Sequence, residues 1–169
     1  YSFEWLPKQD YDNLVLGKYC NCCAHIEGLG QGIMRASMVL DNCQNLVIRD
    51  ELGKIIAKST IYVNKEEGYA VFNTVETSLN HRTDVELQKI YNAFLRGAKA
   101  FVKVYNENND PQITNVAVGI KGNTVLKYLK NSNHPTVKVQ HALNFGEYSL
   151  NGSGYIGDWQ SGQRLVLKK

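Results

Sequence analysis

Leu46-Val47-Ile48, then Ile55-Ile56-Ala57-Lys58-Ser59-Thr60-Ile61-Tyr62-Val63, then Tyr69-Ala70-Val71-Phe72-Asn73-Thr74-Val75 are three strand-like runs. Between them lie Asp50-Glu51-Leu52-Gly53, a turn closed by glycine, and the polar segment from Asn64 to Gly68. Runs rich in β-branched and aromatic residues, bounded by turn residues, read as strands of a meander. From Asp84 to Asn106 the apolar period changes from two to 3.6, with Leu87, Ile90, Phe94, Ala98, Phe101 and Tyr105 on one face. Thr83-Asp84-Val85-Glu86 has the spacing of a capping box, so the helix is expected to start there. Ile113 to Val118 reads as a further strand. Strands feeding a long helix and returning to a strand predict an α/β (α+β) domain, a mixed sheet covered by helices.

The rest of the chain is read around that core. Leu14-Val15-Leu16 is expected to be a short first strand ending at Gly17, and Ile33 to Leu40 a helix. Asn123 or Thr124 is expected to cap a short helix running to Leu129, Asn131 to Pro135 to be a connector, and the segment after Val137 to hold strand fragments. Among those fragments are Tyr148-Ser149-Leu150 and Arg164-Leu165-Val166-Leu167, with a turn at Asn151-Gly152-Ser153-Gly154. With 169 residues and no internal repeat, residues 1–169 are expected to form a single domain. Because the chain begins with Tyr1, it is expected to be a fragment of a longer protein.

Composition excludes some classes. The chain is 43% hydrophobic and 21% charged, with a formal net charge of +3, and its lysines and arginines are not gathered into one strong run. That balance argues against a nucleic-acid partner. No apolar run is long enough to span a membrane and no leader pattern opens the chain. Cys20, Cys22, Cys23 and Cys43 all fall in the first quarter, which suits free thiols in a cytoplasmic protein better than a disulfide framework.

Several residues carry candidate chemistry. Cys20, Cys22, Cys23 and His25 are suitable zinc ligands, but they crowd into six residues, and the favoured expectation is no metal. A Cys/His25 nucleophile pair is a second option, with His81, His134 and His141 equally available. Gly28, Gly30 and Gly32 before a helical run suggest a phosphate cradle, or simply a turn. Glu76, at the end of the third strand run, is a candidate general base, and Tyr128 a candidate general acid. Trp5, Trp159 and the tyrosines are core aromatics or, alternatively, a sugar-stacking platform.

The element order, together with Leu6-Pro7-Lys8, Cys22-Cys23-x-His25-Ile26-x-Gly28-x-Gly30, Gly53-Lys54-Ile55-Ile56-Ala57-Lys58-Ser59 and Val71-Phe72-Asn73-Thr74-Val75-Glu76, resembles the acyl-CoA N-acyltransferase (GNAT) fold. More narrowly, it resembles a group of GNAT-like domains at the C-terminal end of larger bacterial and phage-type proteins. The resemblance implies a mostly antiparallel sheet of about seven strands with a long central helix. It also implies CoA-dependent acyl transfer from acetyl-CoA to an amine or protein substrate, with Glu76 as base and Tyr128 as acid. The third strand's backbone would hold the pantetheine arm, and Val75, Thr77, Arg82 and Thr83 would lie against the cofactor. The family's glycine-containing phosphate loop is replaced here by Ser78-Leu79-Asn80-His81-Arg82-Thr83. Side chains at those positions obstruct close approach of backbone to phosphate. The alternative expectation is therefore a GNAT-like recognition module without catalysis, working beside neighbouring domains of a longer chain.

Overall fold

The computed structural model describes residues 1–28, 30–110, 112–119, 124–125, 127–128, 136–138 and 163–166. The expectations for Leu129, Asn131–Pro135, His134, His141, Tyr148–Leu150, Asn151–Gly154, Trp159 and Leu167 lie outside these residues.

One sheet of eight strands organises the chain. β1 is Ser2–Trp5, β2 Cys43–Arg49, β3 Ile55–Asn64, β4 Tyr69–Phe72, β5 Glu76–Thr77, β6 Asn115–Gly119, β7 Thr136–Lys138 and β8 Gln163–Val166. Their order is β1-β2-β3-β4-β6-β8-β7, and β5 pairs with the far end of β3. Every pairing is antiparallel except β4 with β6, which the long helix joins as a crossover. The helices are α1 Leu16–Tyr19, α2 Gln31–Val39 and α3 Asp84–Asn108.

The expected first strand at Leu14–Leu16 is not one. Tyr11–Leu14 is a 3-10 turn capped by Asp10, and Leu16 opens α1. The run is too short for its apolar residues to distinguish strand from helix, and Leu16 instead packs under the turn against Leu6 and Val47. The edge strand is the aromatic segment Ser2–Trp5, pairing with β2 from Ser2↔Arg49 to Trp5↔Leu46.

β3 explains the irregular alternation of its sequence. Nine of its ten residues, Ile56 to Asn64, are buried, because helices cover both faces of this central strand. On one face Leu46, Ile48, Ile56, Ile61 and Phe72 meet Leu87, Ile90, Phe94 and Ala98 of α3. Trp5 belongs to this layer, with ring centroids 4.8 Å from Phe101 and 6.1 Å from Phe72, so it is a core aromatic. α3 lies close to the sheet at Gly97, where a Cβ would sit 2.9 Å from a Leu46 methyl. On the other face Ile33, Ala36, Cys43 and Tyr62 form a smaller cluster beneath α2. There Asn45 donates to Asn13 Oδ1 at 2.8 Å and to Ser37 Oγ at 2.9 Å, and accepts from Thr60 at 2.6 Å. Buried amides survive there because each finds partners.

Candidate functional site

The third strand run does not stay in one register. Ile61 pairs with Phe72, but Lys58 pairs with Glu76, so two residues of β3 face three of the partner, Asn73, Thr74 and Val75. This is a one-residue bulge, which leaves backbone groups unpaired and bends the strand. The pairing of β4 with β6 stops at Phe72↔Val118, while the chain from Asn73 onward follows β3. The ladder between β4 and β6 therefore ends where the bulge begins.

Glu76 is on β5 just past this bulge. Its carboxylate lies 2.9 Å from Lys58 Nζ, with side-chain exposures of 24% for the acid and 2% for the lysine. The Cys22 thiol also hydrogen-bonds the Glu76 carboxylate. Burial raises the Glu76 pKa, but the Lys58 ammonium and the hydrogen bonds from Cys22 and Lys58 outweigh it and hold the acid below its usual range. Burial likewise works to discharge Lys58, and the facing Glu76 charge reverses this and raises its pKa. The result is a charged pair inside the protein with only the acid reached by solvent. Lys58, in the middle of an apolar run, is a functional candidate that periodicity missed. The signal was present: a lysine between Ala57 and Ser59 in a strand otherwise filled with buried side chains demands an acidic partner.

The loop from Cys20 to Gly30 covers this pair. Its turn is tight: Gly30 N donates to Cys23 O at 3.0 Å, and a Cβ on Gly28 would lie 2.0 Å from that same carbonyl oxygen. The glycines thus let the loop fold onto Cys23. All four cysteines are free. Burial raises Cys20 and Cys43 to about 12 and Cys22 to about 11, and raises Cys23 as well. Thiols held protonated are poor nucleophiles and poor metal ligands. The hydrogen-bond partner of Cys22 is Glu76, where the sequence pointed to His25. Among the described residues no group of three or more His, Cys, Asp or Glu side chains is placed to hold a metal ion.

The segment between β5 and α3 is bonded within the chain. Arg82 donates to Thr77 O at 3.0 Å, and Thr77 is fully buried. Thr83 and Glu86 close the expected capping box reciprocally, the Thr83 hydroxyl accepting from Glu86 N and the Glu86 carboxylate from Thr83 N. Asp84 and Glu86 add negative charge to that turn. The Val75 carbonyl, freed by the bulge, accepts from Thr124 N at 3.0 Å and from Thr124 Oγ1 at 2.7 Å. Val125 is fully buried in the core, and Tyr128 stacks on Tyr91 with ring centroids 5.8 Å apart. The Tyr128 hydroxyl donates to Asp84 O at 2.7 Å, and Lys127 pairs with the Asp84 carboxylate.

No protein-family model matches the sequence, and no curated protein sequence matches it significantly. Solved structures do match. The spermidine/spermine N-acetyltransferase SpeG of Vibrio cholerae aligns over 98% of this chain and 91% of its own, at 10% identity and a TM-score of 0.57. Tetrahymena GCN5 aligns over 99% of this chain and 97% of its own, at 11% identity and a TM-score of 0.54. The fold is GNAT-like. The resemblance noted in the sequence implies a CoA thioester with its pantetheine arm on the third strand run and its pyrophosphate at the loop that opens the long helix. The residues here do not fit that group as arranged. The Val75 carbonyl already accepts from the Thr124 amide and hydroxyl, Ser78–Thr83 has no glycine, and Asp84 and Glu86 put negative charge into the first turn of α3. Val75, Thr77, Arg82 and Thr83 all lie on one stretch of chain; Val75 O, Thr77 O, the Arg82 guanidinium and Thr83 have partners within the protein, while the buried Thr77 hydroxyl has none among the described residues. Glu76 and Tyr128 bond to different partners, the first to Lys58 and Cys22, the second to Asp84.

Proposed function

We propose that this GNAT-like domain is a recognition module without acyl-transfer activity of its own, working as part of a longer chain. The observation that supports this reading is how much of the cofactor path is bonded within the chain: Val75 O accepts from Thr124, Thr77 O accepts from Arg82, and Thr83 closes the capping box with Glu86. A buried acceptor that is already satisfied offers a ligand nothing until its present partner leaves. Neighbouring domains of the longer chain would supply the chemistry, and this domain would hold an amine-bearing or protein substrate for them.

A second reading is CoA-dependent transfer of an acyl group to an amine. It is favoured by Glu76, a charged and partly exposed carboxylate just past the strand bulge. In that reading Glu76 takes the proton of the attacking amine, Tyr128 serves as acid, and the substrate belongs to the amine class named for SpeG.

Melting the protein with millimolar acetyl-CoA separates the two. The module reading expects no rise in Tm and no acetylation of a spermidine-type amine. A rise in Tm accompanied by turnover overturns it in favour of transfer.

A further inference from the structure

Trp5 and Tyr105 are set against the usual habit of amphipathic aromatic residues. Such side chains bury the ring and give the polar atom a partner or water. Here each ring is partly exposed, while Trp5 Nε1 and the Tyr105 hydroxyl are shut off from water and have no hydrogen-bond partner among the described residues. Unpaired buried donors are rare in a native structure, and each needs a cause.

Both side chains line one cavity of about 420 Å³, between the last turns of α3 and the part of the sheet where β2 begins and β3 ends. That volume suits a small ligand. Phe101 lies between the two rings, with centroids 4.8 Å from Trp5 and 5.8 Å from Tyr105, and Ile61 and Val63 add aliphatic wall. Val104, 58% exposed, stands at the rim. Among the described residues, Asp41 is the only charged side chain on the wall. The last turn of α3 holds no basic residue, so nothing on it offsets the negative end of the helix dipole. An anion is disfavoured there. The cavity is remote from Glu76, which pairs with Lys58 near the start of β3. Tyr105 lies about 30 Å along α3 from Asp84.

We propose that this cavity binds an uncharged planar ring carrying a carbonyl, whose oxygen accepts the hydrogen bonds that Trp5 Nε1 and the Tyr105 hydroxyl lack. The ring packs on the aromatic and aliphatic wall. The carbonyl brings an acceptor without the negative charge that Asp41 and the end of α3 oppose. Neither donor meets water as the side chains stand, so binding includes a turn of each toward the oxygen, a rotamer change of the kind common on association. The site shares no residue with the segment from Val75 to Thr83, and it stands whether or not the module reading does.

The test titrates nicotinamide, an uncharged ring with a carbonyl, and nicotinate, its charged isostere. In Trp159→Phe protein Trp5 is the only indole, and its Nε1–H signal in a nitrogen-correlated NMR spectrum reports the new hydrogen bond. Nicotinamide is expected to move that signal downfield, and nicotinate to bind about fivefold more weakly. Tyr105→Phe removes a hydroxyl with no partner. It is expected to leave the Tm of the free protein unchanged or higher, and to weaken nicotinamide about threefold to tenfold. A variant that melts lower has lost a structural hydrogen bond, and one that binds as well as the wild type never used the hydroxyl; either overturns the proposal. Val104→Arg, at an exposed position, fills the rim and is expected to abolish the shift. A wild-type response there puts the ligand elsewhere and overturns the site. So does an indole signal that stays in place up to the solubility limit of nicotinamide, or that nicotinate moves equally well.

Discussion

Two lysine–carboxylate pairs bracket the segment that leads into α3, one inside the protein and one on its surface. Lys58–Glu76 has side-chain exposures of 2% and 24%, and Lys127–Asp84 has 45% and 82%. The chemistry is the same and the consequences differ. Inside, neither charge can lose its partner without leaving the other desolvated. Outside, water and salt replace either partner at little cost. A contact found by distance alone would rank the two pairs together; burial separates them.

The largest effect is therefore expected at the inner pair. Glu76→Gln leaves Lys58 charged and buried against a neutral amide, and is expected to cost about 3–5 kcal/mol of stability, read from chemical denaturation. Lys58→Met/Glu76→Gln removes the stranded charge and is expected to recover most of that loss. A double variant no more stable than the single would break the comparison. pH sharpens it further. Glu76 is depressed in the folded state relative to the unfolded chain, so its contribution is present above the unfolded value of about 4.3 and is lost as pH falls through the lower folded value. Acid destabilisation below about pH 4 should thus shrink in the double variant. The same logic bears on catalysis: loss of turnover in Glu76→Gln alone would not distinguish a missing base from a damaged fold.

The second effect in size is at the capping box. Thr83 accepts the Glu86 amide, and removing its hydroxyl is expected to cost about 1 kcal/mol by Thr83→Ala. Thr83→Ser should restore it. An equal loss in both variants would mean that the methyl group, not the cap, carries the effect.

What was legible in the sequence follows from the range of the interactions involved. The capping box, the α3 stripe and strands β2, β3 and β6 were readable because the residues that specify them are neighbours in the chain. Lys58 was visible as an anomaly but its partner was not, since the bulge that sets Glu76 opposite it depends on a one-residue register shift between β3 and β5. The Cys22–Glu76 bond joins residues far apart in sequence and no periodicity encodes it. The edge strand Ser2–Trp5 was hidden for a different reason. Its alternation covers only four residues, and its placement comes from the facing strand. The Thr124 bond to Val75 O likewise required the fold.

The smallest effect is expected at the outer pair, and it tests what holds Thr124 and Tyr128 in place. Lys127→Ala removes the ion pair to Asp84 and leaves Thr124, Val125 and Tyr128 in place. If these residues are held by buried apolar surface and by hydrogen bonds, the denaturation midpoint should stay at its wild-type value. Raising the salt concentration should not move it either, because the groups that matter are not screened. A midpoint that falls with Lys127→Ala, and falls equally for the wild type in high salt, would mean the surface pair holds the segment down. The distinction between the two pairs would then fail at its weaker end, because an exposed ion pair would be doing the work assigned to packing.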